Sequence, residues 1–411
     1  MKRFLGILVI VTILGLIMAG CGSTKPAETT QAVTEAATTV AAAETTAADA
    51  SNGAAETLAV DLSKLKASDG QPLLVIGEKK EIPPRPADPN ALKDTDPLRW
   101  WDMEYAGWTT VKEPMPKSPG DGAKGKKVTL IVHGDHPWTT AYIVGAKKAA
   151  EAYGITLKVM SPNWDLNVQN QMIDQAINEK PDAIALIPID AKAAVQQFKK
   201  IYDAGIPLIA TNTLSVDEAM KYTIGWSGPD DWGQFRMLTD EFAKKLNYEG
   251  GYACISHSPG GSPFFARTDG PISELAKVAP KMKLLDRQAP GFDAAKVTQL
   301  VSDWITKYGA DLKGIIAADD SAQLIGIIDA VKKANRQDIV VVAAGNSKTG
   351  MDAVKAGDAY AITYQTTEGD GAAAMRTAAL FFAGAPIDPV TYLPKHIITK
   401  NDVDSYMPAQ W

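Results

Sequence analysis

Cysteine is nearly absent from this chain. Two occur in 411 residues, Cys21 and Cys254. That is too few for a disulfide-stapled scaffold or a thiolate zinc site, although one bridge is arithmetically open. Histidine is almost as scarce, at His133, His136, His257 and His396, with no H-E-x-x-H and no paired spacing, so no metal site is expected. No G-x-S-x-G turn exists to raise a nucleophilic serine. Positive charge is also short, 42 Lys and Arg against 48 Asp and Glu, a formal charge of −6. A mildly acidic chain argues against nucleic acid, which demands a clustered cationic footprint. With 45% hydrophobic and 22% charged residues, disorder throughout, collagen-like repeats and a polytopic membrane protein are excluded. The length suggests two or three folding units.

The one long apolar run lies at the start. Lys2 and Arg3 precede residues 4–18, interrupted by Gly6, Thr12 and Gly15, and then comes Met18-Ala19-Gly20-Cys21. A basic start, a short apolar stretch and small residues before a cleavage point are the layout of a secretory signal, and the run is short of the roughly 20 residues a spanning helix needs. Cysteine directly after Ala-Gly resembles the bacterial lipoprotein box, which implies acylation of Cys21 and cleavage before it. Loss of Lys2 and Arg3 takes the net charge to −8. Residues 22–57 contain 12 Ala, 9 Thr and no aromatic residue, too little apolar bulk for a core. They read as a tether of roughly 30–35 Å. Residues 58–124 are rich in proline and carry Trp100, Trp101, Tyr105 and Trp108 without a helical or strand period. They read as an irregular strap whose tryptophans pack on the main body, or which shapes a ligand or partner site.

From residue 127 a regular alternation begins. Apolar runs at 128–132, 157–160, 183–187 and 207–210 alternate with helical patterns at 140–153, 168–179 and 193–204. A second series has apolar runs at 252–255, 283–285, 314–317, 340–343 and 361–364, with helical patterns at 272–278, 294–307, 324–334 and 369–383. Continuous apolar strands joined by helices mean parallel sheets covered on both faces. The fold class expected is α/β, two doubly wound parallel-sheet lobes, with ligands beyond the carboxyl ends of the strands.

Three motifs fail on context. Gly120-Asp121-Gly122-Ala123-Lys124-Gly125 matches G-x-G-x-x-G, but it precedes a strand, whereas phosphate binding needs glycines between a strand and a helix. Ser256-His257-Ser258 and Asp319-Asp320 place adjacent residues on extended backbone, where side chains point oppositely. No catalytic residue and no cofactor are expected. The residues after the strands say more: Asp135, His136, Trp138 and Thr139, then Asn212 and Thr213, Trp226, Phe264 and Phe265, Phe292, Asp319, Asn346 and Gln365. Any one of them could cap a helix or fill core. Together, aromatic plates beside amides and carboxylates suit a sugar or polyol, whose C–H faces stack on rings while its hydroxyls bind polar groups.

From about residue 126 to 411 the chain resembles the type 1 periplasmic-binding-protein family, and more narrowly the ribose-type sugar-binding proteins of ABC importers. The resemblance rests on Asp135-His136-Pro137-Trp138, Ala204-Gly205-Ile206-Pro207-Leu208-Ile209, Gly291-Phe292-Asp293, Ala318-Asp319-Asp320 and Tyr364-Gln365. It implies a signal peptide at 1–20, a tether at 21–57, a strap at 58–124, one lobe from 125–228 plus 366–394, and another from 229–365 plus 395–411. A three-strand hinge would cross near 227–231, 365–366 and 393–396. It implies ligand binding by Asp135, His136, Trp138, Thr139, Asn212, Phe265, Phe292, Asp319, Asn346 and Gln365. Asn212 and Thr213 replace an acid and an arginine, Phe265 replaces another arginine, Arg267 is structural, and Gly345 replaces a pocket acid for which Asn346 substitutes. The pocket is therefore expected to be aromatic, without a cation, and to take a neutral sugar or polyol. The implied setting is a monomer, lipid-anchored at Cys21 on the outer face of the cytoplasmic membrane or periplasmic, delivering to an ABC permease. A receptor for an autoinducer, nucleoside or sugar serving a chemoreceptor or sensor kinase is the alternative, and an extracytoplasmic hydrolase the alternative of another class.

Overall fold

The computed structural model describes Leu58 and residues 60–411; the leader, Cys21 and the tether lie outside the described residues. After a short helix α1 (Trp101–Glu104), the first lobe runs β1 (Lys127–Ile131), α2 (Pro137–Tyr153), β2 (Thr156–Met160), α3 (Leu166–Glu179), β3 (Ala183–Leu186), α4 (Ala194–Asp203), β4 (Leu208–Thr211), α5 (Asp217–Met220) and β5 (Gly225–Gly228). The second lobe runs α6 (Asp231–Lys245), β6 (Glu249–Ile255), α7 (Ser262–Ala266), α8 (Asp269–Val278), β7 (Lys281–Gln288), α9 (Ala294–Tyr308), β8 (Leu312–Ala317), α10 (Ala322–Lys333), β9 (Val340–Ala343), α11 (Lys348–Ala356) and β10 (Ala361–Thr363). The chain then returns to the first lobe as α12 (Thr367–Ala383) and β11 (Val390–Tyr392), and ends in the second as β12 (Ile397–Thr399).

Each lobe is built on a six-stranded sheet, ordered β11-β5-β4-β3-β1-β2 and β12-β10-β9-β8-β6-β7. Strand residues explain the order. β3 (Ala-Ile-Ala-Leu) and β4 (Leu-Ile-Ala-Thr) are buried at every position and lie inside the first sheet. β2 alternates exposed and half-buried residues and forms an edge. The two parallel-sheet lobes are as expected, with one antiparallel pairing, β10 with the edge strand β12. Helices cover both faces, giving each lobe two core layers. In the first lobe α2 and α12 close on one another through Gly145 and Gly371, where any Cβ would strike the partner helix backbone. The second lobe has the same two-layer plan. The chain passes between sheets at Pro229-Asp230, at 364–366 and at 393–396.

Residues 60–126 hold mostly 3-10 turns and α1. They lie against both lobes: Leu62, Leu73 and Leu74 join the first-lobe core, while Trp100 packs on Trp232 and Ala266 of the second. No helix among the described residues is long and apolar enough to cross a membrane.

Candidate ligand-binding site

A cavity of about 390 Å³ lies between the lobes, within the usual range for small-molecule sites. Strand carboxyl ends build it, as the sheet geometry requires. From the first lobe, β1 leads into His133, His136 and Trp138, the β2–α3 loop supplies Trp164, and β4 leads into Asn212 and Thr213. From the second, β6 leads into His257, β7 into Phe292, β8 into Asp319 and β10 into Gln365.

The first-lobe wall is fixed locally. His136 caps α2, its Nδ1 accepting the Trp138 backbone N–H at 3.1 Å. Burial holds this imidazole below its ordinary pKa, with Asp319 pulling the other way, so the neutral ring carries its proton on Nε2 and can donate. Trp138 lies 5.7 Å from the His133 ring and 5.3 Å from Tyr142. Trp164, at φ +65°, brings its indole to 4.1 Å from His133. Across the cavity Phe292 stands 4.9 Å from His257 and 6.5 Å from His136, so rings of both lobes face each other over a short gap. Burial pushes His133 and His257 down to about 3. Both are neutral aromatic surface at ordinary pH.

The polar groups are few and held. Asn212, at φ +57°, donates through Nδ2 to Asp370 Oδ2 at 2.7 Å, which leaves its carbonyl oxygen as acceptor. Asp319 Oδ2 accepts from the Ser321 and Gln323 backbone N–H groups at 3.1 and 3.0 Å, and Ser321 Oγ donates to Oδ1 at 2.8 Å, so the carboxylate is anchored and keeps only its remaining lone pairs for a ligand. Buried His133 Nδ1 and Trp411 Nε1 find no hydrogen-bond partner among the described residues. Buried polar atoms are rarely left unpaired, and a hydroxylated ligand would satisfy such groups.

Of the ten residues predicted to bind ligand, His136, Trp138, Asn212, Phe292, Asp319 and Gln365 line this cavity together, as does Thr213 from the wider set of residues after strands. Four do not. Asp135 lies outside the lining and accepts from Ser161 Oγ at 2.7 Å. Thr139 is buried in the first turn of α2. Phe265 packs on Trp100 at 5.9 Å, turned to the strap because the α7 turn carries it away from the cleft. Asn346 is wholly buried behind the wall, its Oδ1 accepting the Gln365 backbone N–H at 3.1 Å, so it holds Gln365 in place. Its neighbour Gly345 has φ +110°, and a Cβ there would sit 2.5 Å from Asp320 Oδ1, so no side chain fits. Trp226 lies in β5, in the core. The expectation of a lining without a cation is corrected too. Arg267 lines the cavity, its charge met by Asp231 at 3.0 Å and its NH1 donating to the Ala318 carbonyl at 3.1 Å.

His133, Trp164, His257 and Trp411 were missed by sequence reasoning. Trp164 follows a strand end, the same signal that selected the others. Trp411, whose ring lies 5.6 Å from His136, carries no local signal, since only tertiary packing brings residue 411 to the cleft. Among the described residues no cluster of three or more His, Cys, Asp or Glu could hold a metal ion.

Comparison with known proteins places these features. A family model described as periplasmic binding protein domain matches residues 128–386. A xylitol-binding protein of Mycolicibacterium smegmatis is 27% identical over 281 residues, 68% of this chain and 78% of that protein. A D-apiose import binding protein of Actinobacillus succinogenes is 26% identical over 225 residues, 54% and 70% of the two chains. The crystal structure of an ABC transporter solute binding protein from Bacillus halodurans with bound myo-inositol superposes with a TM-score of 0.64 at 21% identity, covering 71% of this chain and 100% of that one.

Proposed function

This chain belongs to the periplasmic binding protein domain family, extracytoplasmic solute-binding proteins rather than enzymes, and on that premise we propose that its solute is a neutral sugar or polyol held between the lobes for an ABC importer. The observation that carries this reading is the charge state of the lining. Arg267, the one Lys or Arg among the described lining residues, is already paired with Asp231, while the Asp319 carboxylate lines the same cavity. An anionic solute would meet a carboxylate and a cation whose charge is already balanced. A neutral polyol instead finds rings for its C–H faces and acceptors for its hydroxyls. The xylitol-binding relative and the myo-inositol-bound structure belong to the same ligand class.

In this reading Trp138 and Phe292 are the plates from the two lobes, and Asn212, Asp319 and Gln365 take hydroxyls, with His136 donating from Nε2. Residues 125–228 with 366–394 and 229–365 with 395–411 are the two bodies that close. Ligand bridging them favours the closed form by its differential affinity. The protein acts as a monomer tethered through a lipid on Cys21.

The test is retention of ligand. The protein is incubated with a mixture of neutral pentoses, hexoses and polyols together with sugar phosphates and uronic acids, then washed, denatured and its extract read by mass spectrometry. One neutral compound recovered unchanged is the expected result. Enrichment of an anionic sugar, or recovery of a chemically altered one, would overturn the reading.

A further inference from the structure

Behind the ligand cavity, at the hinge, lies a second and much smaller void of about 10 Å³. Its wall takes Pro229 from the first crossing, Gln365 from the second and Leu393 and Pro394 from the third, with Gln234 of α6 and Asp370 of α12. Three wall residues carry a buried polar atom that has no hydrogen-bond partner among the described residues: Gln234 Oε1, Gln365 Nε2 and Asp370 Oδ1. The residues are 0, 7 and 2% exposed, so bulk solvent does not serve these atoms.

Their roles are set by what their other atoms do. Gln234 Nε2 donates to the Tyr364 carbonyl at 2.9 Å, which leaves Oε1 as an acceptor. Asp370 Oδ2 accepts from Asn212 Nδ2 at 2.7 Å, leaving Oδ1 to accept, or to donate when protonated, the form that burial favours. Gln365 Nε2 can only donate. An acceptor, a donor and a carboxyl oxygen that can serve as either, around a space close to the roughly 10–15 Å³ that one water fills, match a single water molecule, which both donates and accepts and typically makes about three bonds when buried. A cation would meet the Gln365 N–H groups, and an anion would meet the Gln234 carbonyl oxygen. Neither fits.

We propose that this void is a single-water site, and that through it Gln234 and Asp370 are positioning residues for Gln365 and Asn212; the second half rests on the reading of the larger cavity as the ligand site. The water donates to Gln234 Oε1, accepts from Gln365 Nε2 and makes its third bond with Asp370 Oδ1. A continuous relay then runs from Asn212 through Asp370 and the water to Gln365, so the two amides facing the ligand are oriented from behind by one network drawn from both lobes and the hinge.

A crystal structure of the full protein at a resolution that shows ordered water tests the site without any ligand. The expected result is one water within about 2.7–3.2 Å of all three atoms. A dry void overturns the proposal, whatever solute the protein turns out to bind. The positioning role is tested by calorimetry with the neutral compound recovered in the retention experiment. Asp370→Leu should weaken its affinity about tenfold or more, as loss of one buried hydrogen-bonding partner implies. Asp370→Asn keeps an oxygen for Asn212 and a polar atom toward the water, and should stay within about threefold of the parent. If Asp370→Leu does not fold, Gln234→Met replaces it, with the same loss expected. Equal losses in Asp370→Asn and Asp370→Leu, or no loss in either apolar variant, would overturn the relay.

Discussion

Trp138 and Phe292 occupy opposite walls of the cavity, yet they differ in how far they are built into the fold. Trp138 is half-buried and stacks toward Tyr142, whereas Phe292 is 38% exposed. Truncating either ring should weaken ligand affinity by about 100-fold, the scale of losing a central aromatic contact. Phe292→Ala should leave the thermal midpoint almost unchanged while Trp138→Ala lowers it, since only the second ring is tied into core packing. Phe265→Ala is the contrast: it should loosen the strap around Trp100 and leave affinity within about threefold, because this ring faces away from the cleft. Calorimetry and thermal melts on the three variants separate these outcomes. A loss of binding in Phe265→Ala would return that residue to the site.

His257 gives a pH signature. Burial, helped by Arg267, lowers its pKa from 6.5 to about 3 in the folded state. Below pH 6.5 the unfolded chain binds a proton at this position that the folded chain refuses, so stability falls as pH falls through that window. Relative to His257→Asn, the parent should lose about 1–2 kcal/mol between pH 7 and pH 5. Chemical denaturation of both proteins at the two pH values reads the difference, and a constant gap would contradict a neutral half-buried imidazole.

At the scale of elements, the strap is the feature to explain. It is fixed at the hinge by a buried charge cluster. Lys80 Nζ lies 2.7 Å from both Glu104 and Asp230, Lys395 lies 2.6 Å from Asp230, and Arg236 pairs with Glu104 through both terminal nitrogens. Burial works against the Lys80 charge, but the two carboxylates outweigh it. Lys80→Met should cost about 1–3 kcal/mol, because Glu104 keeps Arg236 and Asp230 keeps Lys395 while each loses one buried hydrogen-bonded partner. A loss below about 1 kcal/mol in a denaturation curve would show that the cluster does not hold the strap. Burial also opposes ionisation of Asp230, yet Lys80 and Lys395 hold it at about 2. Its contribution is present above its unfolded value of 3.8 and is lost as pH falls toward 2.

Elements were legible in the sequence to the degree that apolar residues mark them. The inner strands read clearly because residues such as Ile184, Ala185, Leu208 and Ile209 are apolar without interruption. Helix α6 was invisible because it buries Gln234, Thr239 and Asp231 along with its rings, which blurs the apolar stripe. β5, Gly-Trp-Ser-Gly, has no β-branched residue, and β11 and β12 have three residues each. Six pocket residues were readable because they follow strands. Trp411 and the true neighbour of Phe265 depend on tertiary contacts that no local pattern encodes.

At the scale of the whole molecule, the three crossings, the cleft and the strap meet at one place. Asp230 and Lys395, on the first and third crossings, hold the strap, and Gln365, on the second, lines both the ligand cavity and the small hinge void. The family match covers residues 128–386, so the strap is an addition around a common two-lobed body, and it braces the joint about which that body would close. Rings from both lobes already stand 6.5 Å apart at His136 and Phe292, a separation that a ligand bridging the lobes would hold. A neutral polyhydroxylated compound is the ligand that this arrangement would hold. Calorimetric titration of residues 58–411 with xylitol, myo-inositol, D-ribose and their phosphorylated counterparts tests it most directly. Saturable one-site binding by at least one neutral compound, with no heat from the phosphorylated ones, is the expected result; saturable binding confined to the phosphorylated compounds would contradict the account.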